Sequence, residues 1–526
     1  LPRHSHCFLF TVIADGGDPA VTERISGPRR VSRRAFLAGA AATAFTLAAC
    51  TRNTAVRVAN DRIGAAEAAR PHTGRTVAVE LTAGPTQIDL GGTHAATFAY
   101  GDAVPGPLIR ANVGDEVAVT VKNRLTHSTS VHWHGIALRN DMDGAAPASP
   151  DIEPGTDFVY RFSVPHPGTY WAHPHTGLDA DTGLYLPIIV DDPTEPGAHD
   201  AEWVVVLDDW TDGIGSTPQQ LYDGLRRSSM PAHEGMPGMG GMHDMGSMPG
   251  MSGMGGSALL GGDAGDIRYP YYMINGRIPA AAATFTAKPG NRVRIRIVNA
   301  GSDTAFRVAL AGHRMTITHT DGFPVRPTDV DALLVGMGER YDVTVTAGDG
   351  LFPLVAAAEG KDALARVLLS TGSGSAPDPA YRPPELNGLL GTIEMFTATP
   401  EVDLGAADPD TGLSATLSGG MMAYDWMING RPFSDTNPLT VRQGQRATLT
   451  FNNMSMMWHP MHLHGHTFQV INPDGSRGAR KDTVIVLPMR RLTVDLIADN
   501  PGEWMVHCHN TYHQEAGMMT TLDYVM

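Results

Sequence analysis

Four short histidine clusters carry most of the chemistry in this sequence. They are His132-Trp133-His134, His173-Pro174-His175, His459-Pro460-Met461-His462-Leu463-His464, and His507-Cys508-His509 followed by His513 and Met518. Imidazole, thiolate and thioether together are ligands for copper and related transition metals. On a strand, residues two apart share a face and the residue between them points the other way. His132 and His134 can therefore ligate on one side, as can His173 and His175. His507 and His509 do likewise, while Cys508 faces away. Cys508 is then free to join His459, His513 and Met518. Two histidines, one thiolate and a weak axial methionine make the blue-copper donor set. A one-electron centre would thus stand one residue from a histidine cage, with electrons leaving Cys508 through the backbone to His507 and His509.

The composition suggests a β-rich chain with many turns. The chain has 526 residues, with 22 histidines and 25 methionines but only 3 cysteines. That length suggests about three domains. Three cysteines exclude a disulfide scaffold. A hydrophobic share of 42% is enough for several packed cores. The 59 glycines and 38 prolines point to many turns. A net charge of -16 argues against nucleic acid as a partner, since phosphate binding needs a basic surface.

The elements that position the clusters read as strands. Polar and apolar residues alternate over 115–122, 292–297 and 446–451. Each run follows a glycine turn (Val113-Gly114, Pro289-Gly290, Gln443-Gly444) and precedes an asparagine (Asn123, Asn299, Asn452). A second echo is Met-Ile-Asn-Gly-Arg at 273–277 and again at 427–431. These repeats predict tandem β-sandwiches, with linkers near 193–200 and 373–390. No long segment shows a helical stripe. The expected organisation is a leader and signal over 1–50, a tether over 51–73, and domains at 74–195, 196–375 and 385–526.

The N-terminal segment is set aside from the fold. Ser32-Arg33-Arg34-Ala35-Phe36-Leu37 opens an apolar run that ends in Leu47-Ala48-Ala49-Cys50. The run is too short to span a bilayer comfortably. Arg33-Arg34 resembles a twin-arginine export signal, and the last four residues resemble a lipobox. The expectation is an exported protein of the cell envelope, periplasm or extracellular face, with Cys50 as a possible lipid anchor. Residues 1–30 read as a leader outside the signal. Only Cys508 then remains in the folded body.

Between 230 and 254, eight methionines alternate with Gly, Pro, His233 and His243. Thioethers prefer Cu(I). So much Gly and Pro predicts a loop rather than a helix.

Taken together, the four copper motifs resemble the multicopper oxidases, the laccase and copper-efflux oxidase family, over about residues 75–526. Gly338-Glu339-Arg340-Tyr341-Asp342 and Pro105-Gly106-Pro107 are also similar to that family. The resemblance implies an all-β chain of three tandem cupredoxin-like Greek-key sandwich or barrel domains holding four copper ions. It implies a type 1 copper on His459, Cys508 and His513, with Met518 axial; spacing alone separates Met518 from Met519. It implies a type 2 copper on His132 and His462. One type 3 copper would take His134, His173 and His509, and the other His175, His464 and His507. His466 is not a family ligand. The middle domain would be a spacer that also shapes the substrate surface.

The resemblance also implies the reaction: four single electrons enter at the type 1 site and O2 is reduced to two waters. Asp143 matches the family's acid near the cluster and is expected to relay protons. A turn residue before Gly144 is the alternative. The family's second acid is replaced by Gln514, and Glu515 would point elsewhere on a regular strand. An axial Met lowers the type 1 potential relative to a non-coordinating residue, which suits easily oxidised donors.

Three functions stay open. The first is a cuprous oxidase for copper tolerance that also takes phenols. The second is a general laccase for phenols, aromatic amines, Mn(II) or Fe(II). The third is a copper-sequestering protein without turnover, which would need no cage. A single chain suffices for either enzyme. Met454, Met456, Met457 and Met461 near the third motif are either core or substrate relay.

Overall fold

The computed structural model describes residues 60–228, apart from Pro196 and Ala198, and residues 256–526. The leader, the paired arginines, Cys50 and the 230–254 insert lie outside the described residues. No helix among the described residues is long and apolar enough to cross a membrane.

Six sheets, two per domain, form three cupredoxin-like domains. The first domain pairs two four-stranded sheets, the second two six-stranded sheets, and the third a six- and a five-stranded sheet. In each domain the leading strand runs parallel to a central strand. The pairs are Thr76–Asp89 with Glu116–Asn123, Ala201–Trp210 with Arg292–Asn299, and Thr411–Gly420 with Arg446–Asn453. Each central strand is also antiparallel to another neighbour. One parallel pair in an otherwise antiparallel sheet requires a crossover instead of a hairpin. The central strands contain the three alternating runs seen in the sequence. Their apolar residues, such as Val119, Ile295 and Leu449, are fully buried in a core that is continuous through all three domains.

The repeat has a polar signature too. Asn123, Asn299 and Asn453 end the three central strands, and all are buried. Each accepts a hydrogen bond at Oδ1 from the backbone two residues on: Leu125, Gly301 and Ser455. Each donates from Nδ2 to backbone carbonyls of two separate segments, for example Thr304 and Val335 from Asn299. The third-domain residue is Asn453, not Asn452; the doubled asparagine hid a one-residue offset. The Met-Ile-Asn-Gly-Arg echo is a tight hairpin, with Asn275 and Asn429 in the left-handed region followed by glycine.

The expected tether contains structure from residue 60 onward. The helix Asn60–Ala68 carries Glu67, whose carboxylate accepts from the Ser163 backbone at 2.8 Å. Arg70 donates to Asn500 at 2.9 Å.

Replacing Asn299 by Leu leaves three buried backbone partners unpaired. The Asn299→Leu protein should lose about 3 kcal/mol of unfolding free energy in urea titration. A loss below about 0.5 kcal/mol would show that these loops do not depend on it.

Candidate metal centres

The strand His459–Leu463 runs antiparallel to Glu503–Cys508, with Met461 opposite Cys508 and His462 opposite His507. This register puts His459 and Cys508 on one side. Residues after Cys508 leave the strand. Asn510 caps the helix Thr511–Glu515 by accepting from the backbone of Tyr512 and His513. The helix turns His513 back toward Cys508. Cys508 Sγ lies 3.6 Å from His459 Nδ1 and 3.7 Å from His513 Nδ1. The two Nδ1 atoms are 3.1 Å apart. Met518 is fully buried, and its carbonyl accepts from the Cys508 backbone at 3.1 Å. Met519 is partly exposed, so burial favours Met518.

The far edges of both imidazoles are tied. His459 Nε2 bonds Ser455 Oγ at 2.8 Å, and His513 Nε2 bonds Asp266 Oδ2 at 3.0 Å. Burial lowers the His513 pKa, but Asp266 and the Cys508 sulfur outweigh it and raise it to about 10. Tied outer nitrogens and free inner ones are the arrangement of a ligating histidine.

The other eight histidines meet between the first and third domains. His132 and His173 are cross-strand partners in the first domain. His175, His464 and His507 converge, with Nε2 of His507 3.0 Å from that of His464 and 3.4 Å from that of His175. His134, His173 and His509 form a second triangle, with ring centroids 5.0, 5.1 and 5.7 Å apart. His132 and His462 face each other at 5.7 Å. Outer nitrogens again have partners: His132 Nδ1 with the Asp143 carbonyl, His173 Nδ1 with that of Pro174, His462 Nδ1 with that of Asp482, and His507 Nδ1 with that of Cys508.

Six other ring nitrogens do not. His132 Nε2, His134 Nδ1, His173 Nε2, His462 Nε2 and both nitrogens of His509 are buried without a protein partner. Buried polar atoms are rarely left so. Burial pushes His134, His173, His464, His507 and His509 well below the usual imidazole range, and His175 to about 3. Neutral imidazoles with lone pairs aimed at common points are what a transition metal requires. The residues present fit copper.

Three features surround the cage, the first of them at Asp143, the acid expected there from the sequence. Asp143 Oδ2 bonds His464 Nδ1 at 2.9 Å, and Oδ1 lies 3.3 Å from His132 Nδ1. Asp143 thus touches a histidine from each domain. Gly144 permits this: its φ is +77°, and a Cβ there would sit 1.8 Å from the Val131 carbonyl oxygen. Asp482 bonds His134 Nε2 at 3.2 Å and lies 3.4 Å from His462 Nδ1. Both carboxylate oxygens of Asp482 accept from Arg340 of the middle domain, at 2.7 and 2.6 Å. Burial would raise the Asp482 carboxyl, but Arg340 overrides it and holds it well below the usual range. Lastly, a Cβ on Gly338 would lie 2.7 Å from the His509 ring and 3.0 Å from that of His134.

The middle domain is therefore more than a spacer. It packs on the cage through Gly338, braces it through Arg340, and caps His513 through Asp266. Gln514 is buried, and Glu515 is exposed on a helix where a strand was expected. His466 is buried outside the cage and bonds Tyr524 at 2.6 Å. Met457 and Met461 are core, while Met454 and Met456 are exposed by 54% and 74%.

Three cupredoxin-like domains, with a Cys-His site joined by one residue on either side to an interdomain histidine cage, define a copper-dependent oxidase. Multicopper oxidase family models match residues 82–195, 201–371 and 407–525. The chain is 63% identical over 501 residues to the multicopper oxidase MmcO of Mycobacterium tuberculosis, covering 95% of this chain and 97% of that protein. It is 30% identical to a copper resistance protein A homolog of Pseudomonas syringae pv. tomato, over 93% of this chain and 98% of the relative. Among solved structures, a multi-copper oxidase from Pseudomonas thermotolerans aligns with a TM-score of 0.64 at 26% identity, over 86% of this chain and 99% of the other. The chain belongs to the multicopper oxidase family. It is an oxidoreductase that uses O2 as acceptor.

Removing Arg340 strands a buried carboxylate. Arg340→Met should cost about 3–5 kcal/mol in the copper-free protein. Adding Asp482→Leu should recover a large part of that. A double variant no more stable than the single would contradict the pairing.

Proposed function

We propose that this enzyme oxidises Cu(I) to Cu(II) in copper tolerance, accepts phenols as well, and passes four single electrons to O2 to give two waters. The observation that carries the cuprous reading is where the described residues on either side of the methionine-rich segment lie. The helix Pro218–Ser228 leads into the 230–254 insert, and its Tyr222 ring lies 6.2 Å from Tyr424 beside His513. On the other side of the insert, Leu260 packs with Trp458, next to His459, and Asp266 bonds His513. Both flanks of the methionine-rich segment thus end at the Cys508 site. Met454 and Met456 bracket Ser455, which holds His459, and their exposure offers two more thioethers there. The similarity to copper resistance proteins supports the same reading.

Bound copper would supply the one-electron chemistry and the site of O2 reduction. His459, Cys508, His513 and Met518 would hold the type 1 ion. His132 and His462 would hold the type 2 ion, and the two histidine triangles the type 3 pair. The chain's own residues do the rest. His507 and His509 flank Cys508, so two short backbone routes join the groups. Asp143 holds His464 and sits against His132, where it can pass protons to the cage. Asp482 is kept ionised by Arg340 and is unsuited to that task. Glu515 faces solvent, which leaves Asp143 as the proton relay. The sequence signals support export with Cys50 as a lipid anchor. One chain completes both centres, which supports a monomer.

The test is O2 consumption with Cu(I) and with a phenol, at controlled free copper. Deleting 230–254, or replacing Met454 and Met456 by Leu, should lower Cu(I) turnover several-fold and leave phenol turnover near wild type. Equal losses would count against copper delivery by methionine. No Cu(I)-dependent O2 uptake in the wild type would favour the general laccase.

A further inference from the structure

The helix that carries His513 is not held by the third domain alone. It docks on a middle-domain loop, Ser302-Asp303-Thr304. Thr511 donates from its backbone to the Ser302 carbonyl and from its hydroxyl to Ser302 Oγ, both at 3.0 Å. Asp209 fixes the loop from behind. It accepts from the backbone of Ser302 at 2.7 Å and of Asp303 at 3.0 Å.

At the centre of this socket lies the Asp303 carboxylate, fully buried. Oδ1 accepts from Asn510 Nδ2 at 2.6 Å and from the Asp266 backbone at 3.0 Å. Oδ2 accepts from the Ile267 backbone at 2.9 Å and from Lys361 Nζ at 2.7 Å. Lys361 is buried too, and it also donates to the Asp303 carbonyl at 2.7 Å and to Thr304 Oγ1 at 3.1 Å. A buried carboxylate with a buried cation and three further donors is satisfied on every side, which makes it rigid. Packing alone does not require such a pair, since apolar residues of similar volume are often as stable.

Both arms of the Asp303 network end on one imidazole. In the first arm, Asn510 caps the helix by accepting at Oδ1 from the backbone of Tyr512 and His513, while its Nδ2 is held by Asp303. In the second, the backbone of Asp266 is held by Asp303, and its Oδ2 bonds His513 Nε2 at 3.0 Å. The Tyr424 hydroxyl donates to the same oxygen at 2.7 Å. Asp303 therefore fixes where the His513 backbone stands and where the partner of its outer nitrogen stands. Gly265 makes the second arm possible. Its φ is +109°, and a Cβ there would lie 2.5 Å from the Asp303 carbonyl oxygen and 2.6 Å from Oδ2.

We infer that Asp303, held by Lys361, is a positioning residue of the Cys508 site. One middle-domain carboxylate sets both the place of His513 and its strength as an electron donor, and through them the potential at which the site takes up an electron. The outer partner of a ligating imidazole raises its basicity. With Asp266 displaced, His513 becomes a weaker donor, bound Cu(II) is less stabilised, and the potential rises. This role rests on the Cys508 group holding the type 1 ion, and is independent of whether Cu(I) or a phenol supplies the electron.

Two measurements on the full chain test it. In the copper-loaded enzyme, Asp303→Asn sets an amide donor among donors and loosens both arms. Equilibration with ferrocyanide should then show a reduction constant for the type 1 site about tenfold above wild type, with the type 2 electron paramagnetic resonance signal unchanged. Gly265→Ala, which displaces only the Asp266 arm, should raise the constant likewise. In the copper-free protein, hydrogen exchange at the Tyr512 and His513 amides should be about tenfold faster in Asp303→Asn and near wild type in Gly265→Ala. Exchange in the strand Gly168–His173 should not change in either. A loss of stability alone would lower the melting temperature and leave the reduction constant where it was. A wild-type reduction constant in both variants, or wild-type exchange at both amides in Asp303→Asn, would overturn the role. If Asp303→Asn does not fold, the reduction constant of Gly265→Ala decides: raised supports the role, unchanged overturns it. No type 1 absorption in the copper-loaded wild type would strike the copper assignment alone, and exchange without copper would still test the positioning.

Discussion

Eight imidazoles meet at one domain junction, and five of them carry buried nitrogens with no protein partner. Everything around the junction answers to that constraint. Desolvation favours the neutral form of His134, His173, His175, His462, His464, His507 and His509. The same desolvation leaves lone pairs with no protein hydrogen to meet. Such a cavity is costly in the copper-free chain and becomes favourable when metal fills it. The outer nitrogens show how orientation is fixed beforehand. Backbone carbonyls, Asp143 and Asp482 each hold a ring by the edge that faces away from the centre.

The middle domain contributes no histidine to the cage, yet the cage leans on it. Arg340 neutralises Asp482, which in turn steadies one histidine from the first domain and one from the third. Gly338 sits where any side chain would strike two rings. Asp266 holds the outer edge of His513 and the hydroxyl of Tyr424. The two ends of the chain supply the ligands, and the middle closes the gaps that water would otherwise fill.

Much of this was legible in the sequence because it is local. Histidines two apart on a strand declare a shared face, and the repeated alternating runs declare three sandwiches. The slip from Asn453 to Asn452 was a register error within a doubled residue. The helix Thr511–Glu515 was missed because five residues show no periodicity, although Asn510 before it is a capping residue. Asp482, Asp266 and the partner of Arg340 were illegible for a different reason. Each meets its partner across more than a hundred residues, and a lone charged residue in a strand or loop looks like a solvated one. The methionines near His459 could not be sorted without burial, which divides Met454 and Met456 from Met457 and Met461.

The central claim is that copper completes the buried cage and the Cys508 site. Anomalous diffraction of copper-loaded crystals on both sides of the copper edge tests it most directly. The account predicts one peak among His459, Cys508 and His513, and three among the eight cage histidines. A cage that stays without a copper peak after full loading, or copper bound only at the surface methionines, would contradict it.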